Sequence, residues 1–111
     1  ILKLLNFKIK TMEIIYEYVN VSASDRLESF AQEKLDQLVK KYDFVIRADV
    51  FLKKENTTSD ENAHHCGIRL SAPGPRLYAE SDEGSFTEAI AETVRDLEDQ
   101  LKKRKEKMKA Y

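Results

Sequence analysis

The chain has 111 residues, of which 41% are apolar and 35% charged, and its formal net charge is −1. This length fits one domain with a modest core, and the single cysteine, Cys66, excludes an internal disulfide and is typical of a reducing compartment. No apolar run approaches the roughly 18 residues of a transmembrane helix, so we expect a cytoplasmic protein that does not enter a membrane.

Residues 1–11 precede the first clear strand pattern. Their apolar stretch is interrupted by Lys3 and Lys8, and no small-residue cleavage site follows, so the segment is a poor match to a signal peptide. We predict that residues 1–11 are an extension and that Met12 is the natural start of a domain at residues 12–111. The alternative is a short amphipathic element that packs on the domain.

The first half of the domain predicts a strand, a helix and a second strand. Residues 13–21 are rich in β-branched and aromatic side chains. Ser24 can cap a helix whose apolar residues recur every three or four positions as far as Tyr42. Residues 45–54 alternate between apolar and polar, which indicates a half-buried strand. The side chains expected to face the core there are Ile46, Ala48, Val50 and Leu52.

The second half predicts two strands and a long helix. Residues 63–72 alternate again, and Pro73-Gly74-Pro75 indicates a turn before a short strand at residues 76–81. Ser85 and Glu88 have the spacing of a capping box, and apolar residues keep a helical period from there to Met108. The side chains expected to face the core from the first of these strands are Cys66, Ile68, Leu70 and Ala72.

The resulting order, β-α-β-β-β-α, predicts an α+β domain. Short connections favour an antiparallel meander of the last three strands, whereas the first strand reaches the second through a helix and should pair with it in parallel. Because each helix has one apolar stripe, both should cover one face of a four-stranded mixed sheet. The aromatic residues expected in the core rather than in a base-stacking platform are Tyr16, Tyr18, Tyr78, Phe30 and Phe86.

Positive charge is concentrated at the end of the last helix. Residues 102–109 hold six basic residues and one acid, a local charge of +5, so the rest of the chain carries −6. Lysines three or four apart share a helix face and can neutralise RNA phosphates, and Arg104 can hold a phosphate with two nitrogens. Lys40, Lys41 and Arg76 could extend this surface. The alternative is a solvated helix end, since the helix dipole also favours cations there.

Metal binding and catalysis find little support. In a strand, His64 and Cys66 would share a face while His65 points to the other, and the chain has no further histidine or cysteine. We therefore expect no metal site and no cofactor, with Cys66 as a small core residue. No nucleophile elbow or phosphate loop occurs, so we expect neither an enzyme nor a small-molecule substrate.

From Met12 to Tyr111 the chain resembles the family of ribosome hibernation promoting factor and ribosome-associated protein Y, also called the sigma-54 modulation family. The most specific part is Leu97 to Lys107, where a Gln100-Leu101 pair is followed by a lysine-rich run. Further matches are Asn20-Val21 before Ser24, Lys34 in the first helix and Ala89-Ile90 early in the last helix.

The resemblance implies a protein that binds the small ribosomal subunit and its rRNA, in the channel used by messenger RNA and transfer RNA. There it would block initiation and preserve idle ribosomes under stress. The side chains that we expect to contact phosphates are Lys103, Arg104, Lys105 and Lys107, with Lys34 and Lys102 in support. The chain ends just after the basic helix, so we expect a short member of the family that is monomeric when free.

The chain departs from the family pattern at three positions of the last helix. Asp96 and Asp99 stand where members often carry basic residues, and Thr87 stands where tyrosine is common. We therefore expect the RNA-binding face to begin after Asp99. Two other functions fit the residues: a double-stranded-RNA module with another target, and a protein-interaction domain that docks a partner on its acidic body.

Overall fold

The computed structural model describes residues 12–55 and 63–109, which contain four strands and two helices. The predicted extension, residues 1–11, lies outside the described residues. The predicted order of elements is confirmed. The elements are β1 (Glu13–Val19), α1 (Asp25–Lys41), β2 (Arg47–Lys54), β3 (His64–Ser71), β4 (Leu77–Glu83) and α2 (Phe86–Lys109).

The strands form one sheet in the order β1-β2-β3-β4. As predicted, β1 pairs with β2 in parallel, and β2, β3 and β4 form an antiparallel meander. The register aligns one residue from each strand across the sheet. One such row, for example, runs from Ile15 through Asp49 and Arg69 to Tyr78.

The two faces of the sheet differ in whether helices pack on them. Both helices pack on one face, as the apolar stripes predicted, and the core forms between them and the sheet. Its fully buried side chains include Leu35, Val50, Leu52, Cys66, Ile68, Leu70, Ile90, Leu97 and Leu101. We call the opposite side the open face, and its side chains include Ile15, Phe51 and Tyr78.

The β1–α1 connection ties the first strand to the first helix. Asn20 has φ +59°, in the left-handed region that asparagine tolerates better than most residues, so β1 ends at Val19. Ser24 caps α1, since its Oγ accepts from the amide of Leu27 at 3.2 Å. The hydroxyl of Tyr18 donates to the Glu28 carboxylate at 2.6 Å. These bonds hold α1 against the edge strand.

Two expectations about the core are wrong, and the helical period of α2 runs past the core. Ile46 was predicted to face the core but is 62% exposed, because β2 begins only at Arg47 and the preceding turn buries Val45 instead. Tyr78 lies on the open face, since its neighbours Leu77 and Ala79 take the inward positions of β4. Met108 keeps the helical period but is exposed, because α2 extends past the core after Leu101.

Candidate nucleic-acid interface

The basic residues of α2 follow its last buried side chain, Leu101. Ser85 caps the start of this helix by accepting from the amide of Glu88 at 3.2 Å, and the core holds the helix as far as Leu101. The turns beyond that point carry the charge of +5. Since successive residues of a helix are rotated by about 100°, neighbouring cations in this run point in different directions.

One side of the run faces the end of α1. The ammonium of Lys105 donates to the carbonyl oxygen of Lys41 at 3.4 Å and lies 5.6 Å from the centroid of the Tyr42 ring. Carbonyl groups in the last turn of a helix lack partners within the helix, so Lys105 caps α1 as well as packing on an aromatic ring. The C-terminal ends of both helices therefore meet at one corner of the domain.

We call this corner the basic cleft. The carboxylate of Glu98 accepts a hydrogen bond from Lys41 at 2.9 Å, and this bond raises the pKa of the lysine. Lys102 is exposed in the cleft and makes no hydrogen bond to another described residue. The cleft is lined by Lys40, Lys41, Tyr42, Lys102, Lys105, Glu106 and Lys109.

A second side of the run carries Lys103 and Lys107, which we call the exposed pair. They lie four positions apart on the same face of α2, and both are exposed. Within residues 12–55 and 63–109, neither makes a hydrogen bond or ion pair. Asp96 lies about two turns earlier on this face, where its carboxylate accepts from the Gln100 amide at 3.2 Å.

The third side carries Arg104, which contacts the Pro-Gly-Pro turn between β3 and β4. Its two terminal nitrogens donate to the carbonyl oxygens of Pro73 at 2.7 Å and Pro75 at 2.8 Å. The guanidinium group that the sequence assigned to a phosphate is thus already hydrogen-bonded within the protein. Phosphate contact by Arg104 stays a prediction, but the hydrogen bonds give it a positioning role for the turn.

Lys34 lies further back on α1, with its ammonium 5.5 Å from the centroid of the Phe30 ring. It lines a groove between the two helices that also contains Lys41 and Glu98. Because Lys41 lines both this groove and the basic cleft, the two form one continuous surface. The structure therefore places Lys34, Lys102 and Lys105 on one side of the domain, and Lys103 and Lys107 on another.

The sequence offered Lys41 only as a possible extension of the surface, and Lys109 was not among the residues assigned to RNA, although both line the basic cleft. The available signal was the position of Lys40 and Lys41 in the last turn of α1, where cations stabilise the helix end. Which other element would lie against that turn could not be read from one sequence. Arg76, the remaining weak candidate, lies instead along a groove of the open face.

His64 and Cys66 point to the helix-covered side, as predicted. Cys66 is completely buried, and burial raises the pKa of its thiol to about 12. The His64 ring packs edge-on against Phe86, with 4.8 Å between ring centroids, and its Nε2 lies 3.1 Å from the ammonium of Lys54. His65 points to the open face.

Among the described residues, no helix has the length and apolar content that crossing a membrane requires.

One comparison with known proteins matches a family, and another finds similar folds. A family model described as sigma 54 modulation protein / S30EA ribosomal protein matches residues 14–109. A ribosomal subunit interface protein from Coxiella burnetii has a similar structure, with a TM-score of 0.73 and 18% identity over 85% of this chain and 98% of the other. The Protein Y N-terminal domain of Thermus thermophilus has a TM-score of 0.70 and 23% identity, over 83% and 98%. At these identities the two structures show a shared fold. No curated protein matches the sequence.

Proposed function

We propose a ribosomal function for this chain, which belongs to the sigma 54 modulation protein / S30EA ribosomal protein family. The family is one of ribosome-associated modulation factors and not a known enzyme family. The function that we propose is translational silencing in the cytoplasm, by occupation of the messenger and transfer RNA channel of the small subunit. The chain would act there as a steric block and carry out no chemistry.

The observation that carries this proposal is the convergence of lysines from two helices at one corner of the domain. Lys40 and Lys41 from α1 and Lys102, Lys105 and Lys109 from α2 line a single cleft. The exposed pair lies on another side of the same helix end. A helix end that is cationic on two sides can contact phosphates of two RNA segments at once, which suits a narrow channel walled by rRNA.

The uneven distribution of charge along the chain would orient the protein relative to RNA. Outside residues 102–109 the chain carries −6, so the body is repelled by RNA while the helix end is attracted. Such polarity orients an approaching protein in the field of a polyanion and raises the rate of productive encounters. Contacts between lysine and phosphate recognise shape and charge rather than base sequence, which is sufficient for a protein that only has to fill its site.

The six residues that the sequence assigned to RNA take different parts in this proposal. Lys103 and Lys107 are unpaired within the described chain and would contact phosphates directly. Lys102 and Lys105 would do so from the basic cleft, with Lys34 extending the surface along α1. Arg104 would support the turn and add its charge to the local field.

Sedimentation with purified ribosomal subunits tests the proposal. On a sucrose gradient we expect the chain to move with the small subunit, and a short free RNA duplex in excess should not displace it. Efficient displacement by the duplex would instead identify a double-stranded-RNA module. A chain that stays at the top of the gradient at low salt would contradict a ribosomal function, and retention by a protein partner at high salt would favour an interaction domain.

A further inference from the structure

His65 lies in a group of carboxylates at one end of the open face. Its Nδ1 is 2.8 Å from a carboxylate oxygen of Asp82, and its Nε2 is 3.5 Å from a carboxylate oxygen of Glu80. One ring nitrogen of His65 and one oxygen each of Asp82 and Glu55 all lie within 4.8 Å of one another. Strands β3 and β4 and the residue that follows β2 therefore bring an imidazole and two carboxylates together at one point.

We propose that Glu55, His65 and Asp82 bind a divalent transition-metal cation, such as Zn²⁺, on the open face. Imidazole nitrogen and carboxylate oxygen are ligands that zinc accepts, and three protein ligands leave the fourth position to water. With bonds of about 2.0–2.2 Å, the ligand atoms of a tetrahedral site are about 3.3–3.6 Å apart. Nδ1 and the Asp82 oxygen, now 2.8 Å apart, would have to separate by about 0.5–0.8 Å, which rotation of the half-exposed Asp82 side chain can supply. The widest of the three spacings, at most 4.8 Å, would have to close by no more than about 1.5 Å.

The surroundings of His65 match those of metal-binding histidines. The ring nitrogen that faces Asp82 is Nδ1, so we assign the cation to this nitrogen. In the structure Nδ1 donates its hydrogen to Asp82, and a cation would replace that hydrogen. The ring hydrogen would then lie on Nε2, which faces Glu80 at 3.5 Å, and metal-ligating histidines commonly present their second N–H to a carboxylate in this way. Glu80 is itself held by the hydroxyl of Tyr78, which donates to it at 3.3 Å. A carboxylate at this position would favour the tautomer that the cation requires.

Packing and charge also favour the site. The side chain of His65 is only 12% exposed, and its ring packs edge-on against Phe51 with 6.1 Å between centroids. Its orientation is therefore set before any cation arrives, which lowers the entropy cost of binding. Three carboxylates surround the ring, and a divalent cation would relieve the repulsion among them.

The sequence did not reveal this group, because His64-His65-Cys66 suggested a site only if further cysteines or histidines were present. The other ligands are carboxylates that come from the end of β2 and from β4, 10 and 17 positions away. Pairing of the strands brings Asp82 opposite His65. Glu55 is fixed at the base of the β2–β3 connection, where its amide donates to the carbonyl oxygen of Ala63 at 2.7 Å.

Calorimetric titration of the untagged full chain with Zn²⁺ tests this site, and the proposal does not depend on ribosome binding. We expect one Zn²⁺ per chain. His65→Gln and Asp82→Asn should each weaken binding at least tenfold, and Glu80→Gln should weaken it about tenfold by removing the carboxylate that faces Nε2. The matched control is His64→Gln, the adjacent histidine on the opposite face, which should bind Zn²⁺ as the unchanged chain does.

Thermal unfolding gives a second readout. Zn²⁺ should raise the melting temperature of the unchanged chain and of His64→Gln, but not that of Asp82→Asn, because a ligand that binds only the folded state stabilises it. Asp82 is exposed, so its variant should fold normally. Absence of saturable one-to-one binding would overturn the proposal, as would normal binding by His65→Gln and Asp82→Asn or an equal loss in His64→Gln.

Discussion

Arg104 and Gly74 are in direct contact across the turn between β3 and β4. A Cβ atom added to Gly74 would lie 3.0 Å from Nη1 of Arg104, and φ at Gly74 is +94°, a conformation that other residues rarely adopt. The absence of a side chain at Gly74 lets the guanidinium reach the carbonyl oxygens on both sides of the glycine. The turn and the end of α2 are therefore fixed to each other.

Gly74→Ala should destabilise the protein. The alanine would be strained at this φ and would displace the guanidinium, so we expect the free energy of unfolding to fall by about 1–3 kcal/mol. Urea denaturation measures the change. Gly84→Ala is the control, because Gly84 does not have a positive φ, and it should be neutral or slightly stabilising. An equal effect of the two substitutions would show that the contact with Arg104 is unimportant.

Arg104→Lys separates the charge of this residue from its geometry. A lysine keeps the positive charge but cannot donate to both Pro73 and Pro75 through a planar group. We expect a loss of about 0.5–1.5 kcal/mol in the free energy of unfolding, with affinity for the ribosome nearly unchanged. Denaturation and subunit binding of the same preparation test this. Loss of affinity without loss of stability would instead mean that the guanidinium binds phosphate.

Cys66 should be unreactive in the folded protein. Its side chain is completely buried, and desolvation raises the pKa of the thiol to about 12, although a hydrogen bond with Thr93 acts in the other direction. The thiol stays protonated below that pKa, so at pH 8 very little of the nucleophilic thiolate is present. A disulfide reagent at pH 8 should modify the thiol quickly in guanidinium chloride and at least a hundredfold more slowly in buffer. Rapid modification in buffer would contradict the packing described for β3.

The elements of the fold followed from the sequence because their signals are local. Alternation in β3 and the cap at Ser85 both depend on residues a few positions apart, and both lie where the pattern placed them. Ile46 was misplaced because alternation says nothing about where a strand begins. Met108 continues the helical period outside the core, because a helical period does not reveal where the neighbouring sheet ends.

The positive charge of the candidate site could be predicted from the sequence, but which side chains share a surface could not. The lysine-rich run is visible in the sequence, whereas its division into the basic cleft, the exposed pair and the Arg104 contact depends on what lies beside each face of α2. Tyr42 and Lys41 come from a helix about 60 positions away. Contacts over such a distance follow from the packing of the two helices, which a single sequence does not specify.

Charge reversal in the exposed pair tests the central claim, that the cationic end of α2 holds the chain on the small ribosomal subunit. Lys103→Glu with Lys107→Glu changes the charge by −4 without removing a hydrogen bond from the described protein, so folding should be unaffected. The control is Arg26→Glu with Lys53→Glu, which makes the same change in charge away from this helix end. The measurement is the equilibrium affinity for purified small subunits across a range of salt concentrations.

We expect the Lys103/Lys107 variant to lose most of its affinity. The slope of log affinity against log salt should fall by roughly 0.7–0.9 for each phosphate contact that is lost. The Arg26/Lys53 variant should show a small, uniform decrease and an unchanged slope. Normal binding by the Lys103/Lys107 variant at moderate salt, or equal losses in the two variants, would contradict the claim.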